Sequence, residues 1–182
     1  YGLRIRFMPP RVTEQQWTDK ITEHLGEALE NAKPAMEDYF FAKKDLYIFG
    51  LQKETYAVVA KQYSHSLTDR QREAIGDINK KYSDCGQKEQ DAVKAIEAAA
   101  RMIVNKNRHK IHKDFGTDEM VQRMKSTLII TVEKEFNSQQ GAIKRDVADS
   151  FIDGILNMEI KGSFADRIRN PKPPNHTNGH KR

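Results

Sequence analysis

Two histidines stand three residues apart in the stretch KNRHKIH, Lys106 to His112, with Arg108, Lys110 and Lys113 around them. On a helix, that spacing puts both imidazoles on one face. His109 and His112 then form half of a metal site, but zinc needs three or four ligands. The nearest carboxylates are Asp114 and Glu119, and the surrounding cations repel a metal ion. A second chemistry is that of a helical-bundle RNase, in which Arg108 contacts a phosphate and His112 moves a proton. The spacing of these two is tighter than that motif shows. The plainest reading is a solvated basic face of a helix. Elsewhere the chain has no Walker loop, no dinucleotide fingerprint, no G-x-S-x-G and no H-E-x-x-H. The residues therefore assign no catalytic, cofactor-binding or metal-binding position, and no cofactor.

The elements that carry this stretch follow from composition. Charged residues make up 31% of the 182 and the hydrophobic set only 37%. That balance suits long helices with a narrow buried seam better than a thick core. The net charge is +5. Residues 161 to 182 hold six Lys/Arg against Asp166 alone, so the tail supplies all of it and residues 1 to 160 sum to zero. A mixed-charge body argues against nucleic acid as a partner. The remaining nucleic-acid reading is an adaptor that binds through the basic tail, with affinity falling steeply in salt. The single cysteine, Cys85, excludes an internal disulfide and a cysteine-rich zinc module. The apolar-looking run Leu128 to Val132 is far short of the roughly 20 residues of a membrane span.

The expected fold is all-α, with extended long helices, a coiled-coil-like seam, a short extended N-terminal arm and an irregular basic tail. Residues 1–34 read as the arm and a short helix. Thr13 with Gln16 gives a capping box, and Trp17, Ile21, Leu25 and Leu29 form a stripe that Pro34 ends or restarts. Residues 35–67 form an aromatic-rich helical segment with a break expected at Gly50. Its aromatics serve as core or as a docking surface. Residues 68–160 form the long-helix region. Ile75, Ile78, Tyr82, Cys85, Ala92, Ile96, Ala99 and Ile103 keep a heptad, with Glu89 the exception. Such a seam requires a partner helix, and Cys85 is expected as a small buried residue within it. Phe115–Gly116 breaks or bends the helix, Thr117 restarts it, Asn137 to Gly141 is a joint or soft spot, and Ala142 to Ile160 is a closing amphipathic helix. Residues 161–182, rich in Pro, Asn and Gly, are expected to form a flexible tail.

KNRHKIH also resembles the lysine–asparagine–arginine, three residues, histidine stretch in the long matrix helix of subunit b of the mitochondrial F-type ATP synthase. MVQRMKSTLIITVEKEFNSQQ from Met120 runs in step with that family. Its Val132-Glu133-Lys134 triplet falls at nearly the family's distance after KNRHKIH. Ser138-Gln139-Gln140 and AIKRDVADSFIDGIL look like the family's C-terminal end. AKKDLYIFGLQKETYAV, Ala42 to Val58, is similar to its lysine, acid, Tyr, Glu-Thr stretch, with two extra residues between Tyr47 and Glu54. The departure is that Glu54-Thr55 leads into a charged segment, where the family has its membrane-spanning helix. The rod is also shorter.

The resemblance implies a non-catalytic stator subunit of the peripheral stalk, at the matrix side of the mitochondrial inner membrane, holding the catalytic head against rotor torque. Partners would be other stalk subunits, including the oligomycin-sensitivity-conferring subunit, and membrane contact would run only through them. Ile75, Ile78, Tyr82, Ile96, Ala99 and Ile103 would meet partner helices. Val147, Phe151 and Ile155 would dock on the head-side subunit. A first residue other than Met fits an imported protein whose presequence has been removed, and equally a sequence that starts at an internal residue.

Overall fold

A computed structural model describes residues 11–62 and 65–157, with side chains at all of these but 59 and 148–157. Among the described residues the chain is all-α. Helix α1 is Glu14–Gln62, α2 is Asp69–Lys106 and α3 is Thr117–Asn157, with a short 3-10 turn at Arg108–Lys110. The expected tail at 161–182, and the expected arm as far as residue 10, lie outside the described residues.

Sequence chemistry sets the helix starts. The Gln16 N–H donates to Thr13 Oγ1 at 3.1 Å, and the Thr13 N–H donates to Gln16 Oε1 at 2.8 Å. This is the capping box, and it satisfies two otherwise orphan groups of α1. Thr68 and Gln71 repeat it for α2, at 3.2 and 2.9 Å. Asp118 and Glu119 lie in the first turn of α3, where carboxylates favour the helix dipole.

Three expected interruptions do not occur. Helix α1 passes through Pro34. Pro34 and Glu30 are both exposed, so the carbonyl that Pro34 leaves without a donor faces water rather than a dry core. Gly50 does not break α1 either; it packs against α2 within the second unit, where a Cβ would meet the Tyr82 ring at 3.4 Å, an ordinary van der Waals contact. At 137–141, α3 continues. Phe136, Ile143 and Val147 are all buried, so the core-facing phase carries across the polar stretch.

The helices contribute to two compact units. The first takes the chain up to Ala42 together with Lys88–Glu135, and the second takes Lys43–Gln87 together with the residues from Phe136. The divisions expected along the sequence follow the chain instead.

In the first unit α1 and α2 are antiparallel: Glu27 meets Lys106 and Asn107, and Asn31 Nδ2 donates to the Ala99 carbonyl at 3.1 Å. Helix α3 reverses again, placing Asp118 against Arg101 and Lys125 against Glu97. Its core joins Trp17, Ile21, Ala28, Ala32 and Tyr39 of α1 to Ala92, Ile96, Ala100, Ile103 and Val104 of α2. Met120, Val121, Met124, Leu128 and Val132 of α3 complete it. The alanines let the helices approach closely, and the methionines fill the gaps this leaves.

The second unit leans on aromatic packing. Tyr47 and Phe136 pack edge to face at 5.8 Å, and Lys43 lies 5.2 Å from the Phe136 ring centre. Lys53 lies 4.8 Å from Tyr82.

Ile96 is wholly buried, whereas Ile130 is 49% exposed. Ile96→Ala should cost about 2–5 kcal/mol through lost burial and cavity. Ile130→Ala should stay within about 0.5 kcal/mol of the parent. Urea unfolding of the two variants against the parent checks both.

Candidate functional site

KNRHKIH is not a helix face, contrary to the expectation from spacing. Lys106 closes α2, Arg108–Lys110 make the 3-10 turn, and the chain reverses before Thr117. Asn107 holds this corner. It is buried, and its Nδ2 donates both to the Ile103 carbonyl at 2.9 Å and to Glu27 Oε2 at 3.1 Å. Lys106 Nζ donates to Glu27 Oε1 at 2.5 Å. Arg108 Nη1 donates to the Phe115 carbonyl at 2.5 Å, and Ile111 is buried beneath. His112 Nδ1 accepts the Asp114 N–H at 3.2 Å and lies 3.4 Å from Asp114 Oδ2. His109 is exposed on the turn. The geometry gives Arg108, His112 and Asp114 the work of closing a turn. Among the described residues no three His, Cys, Asp or Glu side chains gather as metal ligands.

Next to the corner, Arg123 ties α3 to the start of α1. Its two terminal nitrogens donate to the two Glu14 oxygens at 2.8 Å each, and Glu119 takes a third contact at 3.0 Å. The guanidinium lies 4.7 Å from the Trp17 ring centre, and Trp17 meets Phe115 edge to face at 5.0 Å. The Arg123 hydrogen bond holds the Glu14 carboxyl below its ordinary range. The Glu27 carboxyl is lowered likewise, first by Lys106 and then by Asn107.

The heptad residues sort by unit. In the first, Ile96 and Ile103 belong to the chain's own core, and Ala99 packs against it. The helices covering them are α1 and α3. In the second, Ile75, Ile78 and Tyr82 are half-buried, and Cys85 is buried. Of the expected docking residues Val147 is buried, while the Phe151 and Ile155 side chains lie outside the described residues. Within the resemblance triplet, Glu133 accepts a 3.3 Å hydrogen bond from the Tyr39 hydroxyl. Burial, then the nearby carboxylates, push the Tyr39 phenol up to about 12.

Periodicity did not single out the groove between α1 and α3 in the first unit. It holds about 680 Å³ and is floored by Leu29, Met36, Phe40, Phe41 and Val132, with Lys33, Glu37, Thr131 and Glu135 around it. Phe41 is 56% exposed. An exposed aromatic beside a Met-containing apolar trough is the chemistry of a helix-docking surface. The available signal was position 41 standing apolar on the outer face of an otherwise polar stripe. No helix among the described residues is long and apolar enough to cross a membrane. The chain matches no family model, no curated protein and no solved structure.

Asn107→Ala should destabilise the fold by about 1–3 kcal/mol, because it strips buried hydrogen bonds. The lowered Glu27 carboxyl sets an acid dependence. Its contribution is complete above the ordinary value of 4.5 and is lost as pH falls through the lower folded value. Glu27→Gln should therefore lose less thermal stability than the parent on acidification. Melting curves recorded from neutral pH downward test this; parallel curves would remove Glu27 from the account.

Proposed function

We propose that the chain is a non-catalytic helical subunit that works by holding other proteins in place, and that its assembly is the peripheral stalk of the mitochondrial ATP synthase. The observation that carries this reading is α3. It is a 41-residue helix without interruption, and it bears the stretches from Met120 to Leu156 that resemble subunit b, in the family's order. A strut needs long helices with a polar exterior and a narrow apolar seam, and α1 and α2, at 49 and 38 residues, supply the same. A further departure lies at KNRHKIH. In the family it belongs to a continuous matrix helix; here it is the corner between α2 and α3. The proposed stator element therefore reverses at this corner instead of running on as the family's continuous matrix helix.

In this reading the head-side contact falls on the C-terminal turns of α3, through Phe151 and Ile155. Val147 supports that contact from within the chain. The complex would sit at the matrix face of the inner membrane, with its membrane anchorage supplied by other subunits.

The test is native purification from source in mild detergent, followed by mass spectrometry of what co-migrates. ATP synthase subunits in fixed proportion are the expected result. A chain that migrates alone, or with RNA, defeats the stator reading. Phe151→Asp should release the head-side partner and leave the unfolding of the remaining helices unchanged. Full assembly of that variant would move the docking face elsewhere.

A further inference from the structure

The groove between α1 and α3 is flanked by one row of α1. Leu29, Lys33, Glu37 and Phe41 all line it, each four residues from the next. Side chains at that spacing form a continuous ridge, the row by which helices most often interlock. The order along the ridge is apolar, cation, anion, apolar. Reversed, it reads apolar, anion, cation, apolar. A second copy laid antiparallel, with a two-fold axis midway between Lys33 and Glu37, sets Leu29 opposite Phe41 and Lys33 opposite Glu37. The same pairs then recur on the other side of the axis, as a symmetric dimer interface requires. A parallel copy would set Lys33 against Lys33 and Glu37 against Glu37, which like-charge repulsion disfavours.

Two further observations favour this occupant. Lys33 and Glu37 are both exposed, and Lys N-terminal to Glu is the weaker order for a pair within one helix. Their charges are better matched across a two-fold axis than along α1. Phe41, 56% exposed, stands at one end of the ridge and reaches Leu29 of the other copy in this register. Met36 and Phe40 lie beside the ridge in the same groove and add apolar contact.

We propose that this face is a homodimer interface, closed by antiparallel packing of the α1 ridge 29–41 against the same ridge of a second copy. Its charges make the test sharp. Sedimentation equilibrium of the purified chain should give twice the 21.0 kDa of one copy. Lys33→Glu and Glu37→Lys, each alone, put like charges across the axis and should bring the mass down to that of one copy. The double variant K33E/E37K keeps opposite charges facing and should recover the dimer. An equimolar mixture of the two single variants should form a heterodimer that neither forms alone. Phe41→Asp should leave a monomer in every charge background. Circular dichroism confirms that each variant keeps the parent's helicity, since all three positions are exposed. A parent that sediments as one copy at all concentrations overturns the proposal. So does a dimer indifferent to both single charge changes, or a double variant that fails to recover.

Discussion

Asn107 donates one amide group to two acceptors, the carbonyl of Ile103 and the carboxylate of Glu27. With Lys106 on the same carboxylate, it ends α2 and ties that end to α1. The chain must then turn, and Arg108 holding the Phe115 carbonyl fixes how. In the first unit much else depends on this reversal. It brings α3 back beside α1, and so closes the α2 seam with helices of the same chain. A buried amide with both donors engaged is costly to break, so the corner is a well-defined joint rather than a soft link.

The Arg123 cluster is the counterpart on α3. A bidentate guanidinium–carboxylate pair stacked on an indole fixes distance and orientation together. Exposed ion pairs alone add little. Here the pair rests on Trp17, which is only 4% exposed, and Trp17 rests on Phe115. Charge, aromatic packing and the corner therefore support one another. They also tie α3 to the first turns of α1.

A groove left open on a helical unit has a functional consequence. Helices that cover their own seam have less apolar surface to offer a partner, and what remains becomes the specific contact. In the first unit that remainder includes the trough at Met36, Phe40 and Phe41, as well as the exposed Met102 and Ile130. This differs from a stalk in which the heptad itself would be the interface. The seam residues Ile96 and Ile103 act here in stability, and the recognition we propose lies elsewhere, on the outer side of α1.

The sequence by itself determined the helices. The helix start expected at Thr13 is where local chemistry places it, because a capping box is a contact between residues three apart and needs no tertiary partner. The heptad residues Ile96 and Ile103 are buried, because burial follows periodicity. Cys85 is buried for the same reason. Tertiary structure decided what the local signals left open. Pro34 and Gly50 read as breaks, but packing carried α1 through both, with the freed carbonyl turned to water at one and an ordinary contact with α2 at the other. KNRHKIH has helical spacing, yet Asn107 finds its acceptor on Glu27, 80 residues earlier, and that long-range bond makes the segment a corner. The seam's partner was equally hidden, since a heptad states that a helix must cover it and not which chain supplies that helix. Only the fold placed Leu29, Lys33, Glu37 and Phe41 along one open groove, because a surface ridge acquires meaning from the neighbouring helix that leaves it uncovered.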